Sequence, residues 1–249
     1  MPLIVLLAVS FFVTALLYAS VGFGGGSTYL ALLSLAGLDH RVIPLIALAC
    51  NIVVVAGATV RFARAGVTPW KGAITLTALA APAAFIGGTI PIERDAFILL
   101  LGVSLILAGA TMLIPVSDAE KAEPMWLAKA MPFIAAPLGL LAGLVGIGGG
   151  IFLAPLLHLS RWNNARAIAA TASFFILVNS LFGLIGHLTK AGPSMFGAAM
   201  YEALPLLIAV VIGGQIGSLM AVKFLPPKWI RWLTALLISL VGARLLFGL

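Results

Sequence analysis

Val21 to Leu33 reads VGFGGGSTYLALL, and four of its first six residues are glycine. Each glycine weakens a helix by about 1 kcal/mol relative to alanine. Three in a row, Gly24 to Gly26, predict a break. Yet the stretch lies inside a long apolar region, where lipid offers freed backbone groups no partner. The break therefore needs a reason.

Composition sets the surroundings. The chain has 249 residues, 63% hydrophobic and 8% charged, with a mean hydropathy of +1.22. A soluble domain carries about 25% charged residues. Apolar runs near the ~20-residue bilayer length recur from end to end, which predicts an all-α polytopic membrane protein. The alternating ~10-residue strands of a β-barrel are absent from the pattern. The net charge of +7 is spread over short loops. It reads as orientation by the positive-inside rule rather than as a nucleic-acid surface. Cys50 is the single cysteine, so neither an internal disulfide nor a CxxC metal site is expected. The opening MPLIVLL lacks a basic n-region and is expected to be mature sequence. No cofactor is called for.

The glycine stretch occurs twice. Val145 to Leu157 reads VGIGGGIFLAPLL and matches at seven of thirteen positions. Parallel features follow each copy: a polar loop with arginine, an apolar helix and an Ala-Gly loop (Ala65-Gly66, Ala191-Gly192). Then come a helix with a double glycine (Gly87-Gly88, Gly213-Gly214), a proline-marked loop (Pro91, Pro226) and a last helix. Residues 1–115 and 126–249 read as two copies, with the mixed-charge stretch 116–125 as linker. Such repeats are common in secondary transporters, whose sites lie at the repeat interface.

Apolar spans are expected near 3–21, 27–38, 42–60, 72–92, 96–115, 127–145, 151–159, 167–187, 203–222 and 229–248. Those after each glycine motif are too short to cross a ~30 Å core. Each motif is thus either a break in a crossing helix or the tip of a re-entrant hairpin. Crossing motifs would divide the lysines and arginines seven against seven. Hairpins leave Arg41, Arg94, Lys190 and Arg244 on one side and ten on the other, the asymmetry the positive-inside rule expects. Hairpins also leave three transmembrane helices per copy, so the second copy is inverted. Both termini are then extracytoplasmic, in a multi-pass protein of the inner (plasma) membrane.

A helix that begins after a buried break presents free N–H groups carrying roughly half a positive charge. With glycine permitting close approach, Gly24, Gly25, Gly26, Ser27 and Thr28 form one candidate cradle for an anion. Gly148, Gly149, Gly150 and Ile151 form the other. Close helix packing by small residues is the competing explanation. All seven acidic residues are expected in loops or at span ends, so no mid-span carboxylate serves a cation. Asn51, Thr171, Ser173, Asn179 and Ser180 lie on the following helices and add hydroxyl and amide donors suited to oxyanions. Lone histidines, His158 and His187, read as structural. Gln215 sits in a Gly213-to-Gly217 GxxxG face, which reads as packing between copies or as a homodimer contact.

The paired GxGGG segments, the FLAPLL proline Pro155 and the Ala49-Cys50-Asn51 and Thr171-Ala172-Ser173 triplets together resemble the TauE/SafE family of sulfite exporter-like transporters. The resemblance covers nearly the whole chain. It implies movement of small sulfur-containing anions such as sulfite or organosulfonates. Cys50 stands where the family usually has threonine, and Ala31 stands where the second copy has Pro155. The expectation is a carrier that exports a small anion by alternating access, with a passive anion channel as the alternative. No HExxH or GxSxG motif and no paired intramembrane aspartate suggests an enzyme.

Overall fold

A computed structural model describes residues 2–20, 22–113, 126–220 and 227–247, and these form helices joined by short turns, with no strand among them. The order is α1 (Pro2–Ala19), α2 (Gly26–Leu35), α3 (Ile43–Arg64), α4 (Trp70–Thr89) and α5 (Arg94–Leu113). There follow α6 (Trp126–Val145), α7 (Gly150–Leu159), α8 (Ala165–Met220) and α9 (Pro227–Phe247). The expected linker and the loop at Pro226 lie outside the described residues. Helices α3, α4, α5 and α8 are long and apolar enough to cross a membrane. Many outward side chains are apolar, among them Leu6, Phe133 and Leu219, each more than 60% exposed. A lipid-facing surface has that character.

The backbone breaks where the glycines stand. Gly25 (φ 88°) and Gly149 (φ 78°) cap α2 and α7 in the left-handed region, which is open to glycine without steric cost. Helices α2 and α7 have 10 residues each, about 15 Å. Helix α2 doubles back beside α1. The Tyr29 ring stacks on Phe11 with centroids 4.6 Å apart, and a Cβ on Gly25 would meet the Thr14 methyl at 3.0 Å. Gly149 likewise lies level with Ala142 and Leu138 of α6.

Helix α8 is broken at Gly192 (φ 76°, ψ 163°), at the expected Ala-Gly loop. The helix after it starts ten residues earlier than the apolar span 203–222 suggested. Pro193 is tolerated there because the first turn of a helix needs no donated N–H. Glu202, expected at a span end, therefore falls inside a helical stretch. Its side chain is exposed. From Gly192 to Met220 the stretch exceeds the ~30 Å hydrocarbon thickness, so its first turns can project beyond it.

Close helix crossings hold the assembly together. Helix α4 packs on α6, α1 on α8, α3 and α4 on α8, and α5 on α9. Gly139 and Gly143 lie on the backbone of Ala80 and Ala84, and Gly87 on that of Leu140. The GxxxG face behaves in the same way: Gly213 and Gly217 sit against the carbonyls of Phe12 and Leu16 in α1. This face thus packs the second half of the chain on the first. The arrangement follows from small residues allowing backbones to approach where hydrophobic burial drives nothing.

Candidate functional site

The two glycine turns meet. A Cβ on Gly26 would stand 2.6 Å from the carbonyl oxygen of Ile147, in the second turn. Asn51 lies between them on α3, fully buried, and its Nδ2 donates to the Ile147 carbonyl at 3.0 Å. The same side chain lies directly against Gly24 and Gly26, and a Cβ on Gly148 would come within 2.9 Å of its Nδ2. Three glycines from two turns are therefore needed for one amide side chain to fit.

A second bond runs the other way. Ser173 on α8 has its Oγ within reach of two carbonyls, that of Gly22 in the first turn, which is the nearer, and that of Ala169 one turn back in its own helix. Its single proton serves one or is shared between them. Each half of the chain thus supplies a side chain that ties down the other half's glycine turn.

Around Asn51 lies a small cavity lined by Tyr18, Phe23, Gly24 to Ser27, Ile147, Ile151 and Ile176. It has room for about one water molecule in this conformation. The start of α2 faces it. Tyr29 N bonds Gly25 O at 3.0 Å, so the amides of Gly26, Ser27 and Thr28 precede the first bonded turn and have no acceptor within the helix. Thr28 is buried, and its hydroxyl lies 2.8 Å from the Tyr18 hydroxyl, which fixes the α1–α2 turn.

The second turn contributes differently. Ile147 and Ile151 line the cavity, while Gly149 packs on Phe175 and Gly150 on Ile176. Gly148 adjoins Ser180, whose buried hydroxyl has no partner. Thr171 Oγ1 and both polar atoms of Asn179 are likewise buried without partners. So Gly24, Gly25, Gly26, Ser27, Asn51 and Ile151 line one cavity. Thr171, Ser173, Asn179 and Gly148 to Gly150 are buried but do not line it.

Sequence reasoning missed Tyr18, Phe23, Ile147 and Ile176. Phe23 and Ile147 occupy the variable position of GxGGG, so the motif itself held the signal. Ile176 carries none, because an isoleucine in an apolar helix looks the same facing a cavity or lipid. Neither histidine lines the cavity. His187 Nε2 bonds the Gly143 carbonyl at 2.7 Å, joining α8 to α6, and His158 lies half-buried in the last turn of α7. Gln215 is also elsewhere, where its Oε1 accepts from both Nη atoms of Arg61 at 3.2 Å.

The comparisons with known proteins agree with a membrane protein. The model of the family described as sulfite exporter TauE/SafE matches residues 6–245. A probable membrane transporter protein of Sinorhizobium fredii is 33% identical, covering 97% of each chain. Another of Methanocaldococcus jannaschii is 28% identical over 71% of this chain and 68% of its own. An Arabidopsis thaliana protein named sulfite exporter TauE/SafE family protein 1 is 37% identical over 41% of this chain and 21% of its own. No solved structure matches. The chain belongs to the TauE/SafE sulfite exporter family of membrane transporters.

Proposed function

We propose that the protein is a carrier for small anions, sulfite or organosulfonates among them, and that it exports them by alternating access across the inner (plasma) membrane. The observation that carries this reading is that Gly26 and Ser27, whose amides have no acceptor within α2, line a cavity that both glycine turns help to close, with the Thr28 amide next in the same first turn. An anion there meets oriented N–H groups and no carboxylate. An inside-negative potential then drives export by about 2.3 kcal/mol per charge per 100 mV, with no co-transported cation.

The mechanism proposed needs two related halves in opposite orientation. Its support is the exchange of partners between them. The pair α1–α8, at Phe12 and Gly213, mirrors α6–α4, at Leu140 and Gly87. The bond from Asn51 to Ile147 mirrors that from Ser173 to Gly22. Breaking one bond of such a pair while keeping the other opens the cavity to one side only. The water-sized cavity then corresponds to a closed state between the two openings.

Proteoliposomes with a set potential test this. The carrier reading expects saturable anion efflux that accelerates with an inside-negative potential and shows counterflow. Flux without saturation or counterflow would establish a passive channel instead. Strictly Na⁺-dependent uphill uptake would overturn the direction.

A further inference from the structure

The orientation of the Asn51 side chain narrows the ligand. Its Nδ2 faces the carbonyl oxygen of Ile147 at 3.0 Å. The reverse orientation would place two acceptor oxygens face to face, so that carbonyl fixes which end of the amide points where. The remaining end, Oδ1, lies against Gly24 at the cavity. It has no partner, and the side chain is fully buried. A carboxamide oxygen accepts only. An anion held at the amides of Gly26 to Thr28 cannot satisfy it, and a donor-free anion brought beside it would be repelled.

We infer that the ligand of this site is an anion that carries its own hydrogen-bond donor, an O–H or N–H group delivered to Asn51 Oδ1 while its anionic oxygens take the amides of Gly26 to Thr28. Hydrogen oxyanions, hydroxyalkyl sulfonates and ammonium sulfonates have this chemistry. Fully deprotonated or alkyl-capped anions lack it. The inference rests on the anion site proposed above and adds a selectivity to it. A bare cation fits worse, because the positive end of α2 faces the same cavity. The other side-chain oxygens of the wall are hydroxyls, that of Tyr18, which pairs with Thr28, and that of Ser27. Each can donate as well as accept, so neither demands a donor as Asn51 Oδ1 does. Phe23, Ile147, Ile151 and Ile176 offer no acceptor in their side chains.

Matched pairs of anions provide the test, using the full chain purified in detergent and titrated by thermal shift. In 2-hydroxyethanesulfonate and propane-1-sulfonate, a hydroxyl and a methyl exchange places. At mildly acidic pH, hydrogen sulfite and chlorate form a smaller pair of similar shape. The donor-bearing member of a pair is expected to bind about tenfold tighter or more, because its analogue leaves a buried acceptor unpaired. In Asn51→Val the preference should vanish, with both members binding alike. Should that variant not fold, the wild-type pairs decide alone. Equal affinity within every pair in the wild type would overturn the donor requirement and leave the anion site standing. A preference that persists in Asn51→Val would also overturn it. Failure of all four anions to bind would overturn the anion site and this inference together.

Discussion

Gly26 lies so close to Ile147 that a methyl group at position 26 would stand 2.6 Å from the Ile147 carbonyl oxygen. That oxygen is main chain and cannot rotate away, so the contact measures how tightly the two glycine turns are pressed together. Gly26→Ala should separate them. We expect a stability loss of about 1–3 kcal/mol, as for overpacking generally, together with loss of anion binding. Gly197→Ala is the control. No atom lies within 4 Å of the added methyl. That change should be neutral or stabilise by up to about 1 kcal/mol through helix propensity. Thermal unfolding in detergent reads both.

The reciprocal side-chain bonds should be unequal. Asn51→Ala removes the donor to Ile147 and leaves a buried carbonyl unpaired, at a cost of about 1–3 kcal/mol. Ser173→Ala should cost less, about 0.5–1.5 kcal/mol. Asn51→Asp should be worse than Asn51→Ala, since it sets a carboxylate oxygen against a carbonyl. The ranking of midpoints checks this.

At the α4–α6 crossing, Gly143 rests on the backbone of Ala84. Its own carbonyl meets His187. Gly143→Ala should lower the melting temperature more than Gly26→Ala, because the methyl meets main chain on a long helix pair rather than at a turn. The equivalent change at Gly217, which meets Leu16 in α1, should behave alike.

Arg61 joins α3 to α8 through Gln215 and Ser218. Two Nη atoms share one acceptor, so the planar fork matters and lysine cannot reproduce it. A double-mutant cycle between Arg61→Lys and Gln215→Leu should give a coupling of about 0.5–1 kcal/mol, modest because the pair is partly exposed. Additive effects would show that the contact contributes nothing.

Several features were legible in the sequence for identifiable reasons. The glycine runs mark both breaks, because left-handed backbone at Gly25 and Gly149 suits no other residue so well. The turn at Gly192 was marked in the same way. The polar residues stood out because an amide in an apolar span must find a partner, and Asn51 did. Its partner could not be read. Ile147 contributes a carbonyl oxygen, and every residue has one. The extent of α8 was hidden too, because the apolar span begins only at 203, whereas the helix after Gly192 starts at Pro193, which the first turn of a helix tolerates. The one-sided lining of the cavity depends on where Phe175 and Ile176 point, which apolar composition does not encode.

The central claim is that the start of α2 at the paired glycine turns holds an anion. The most direct measurement is an anomalous difference map of the protein crystallised with hydrogen selenite, an oxyanion that carries an O–H group. We expect a selenium peak within hydrogen-bonding distance of the Gly26 to Thr28 amides and beside Asn51. Peaks found only at surface cations such as Arg161 or Arg166, with the glycine turns closed as they are here, would contradict the account.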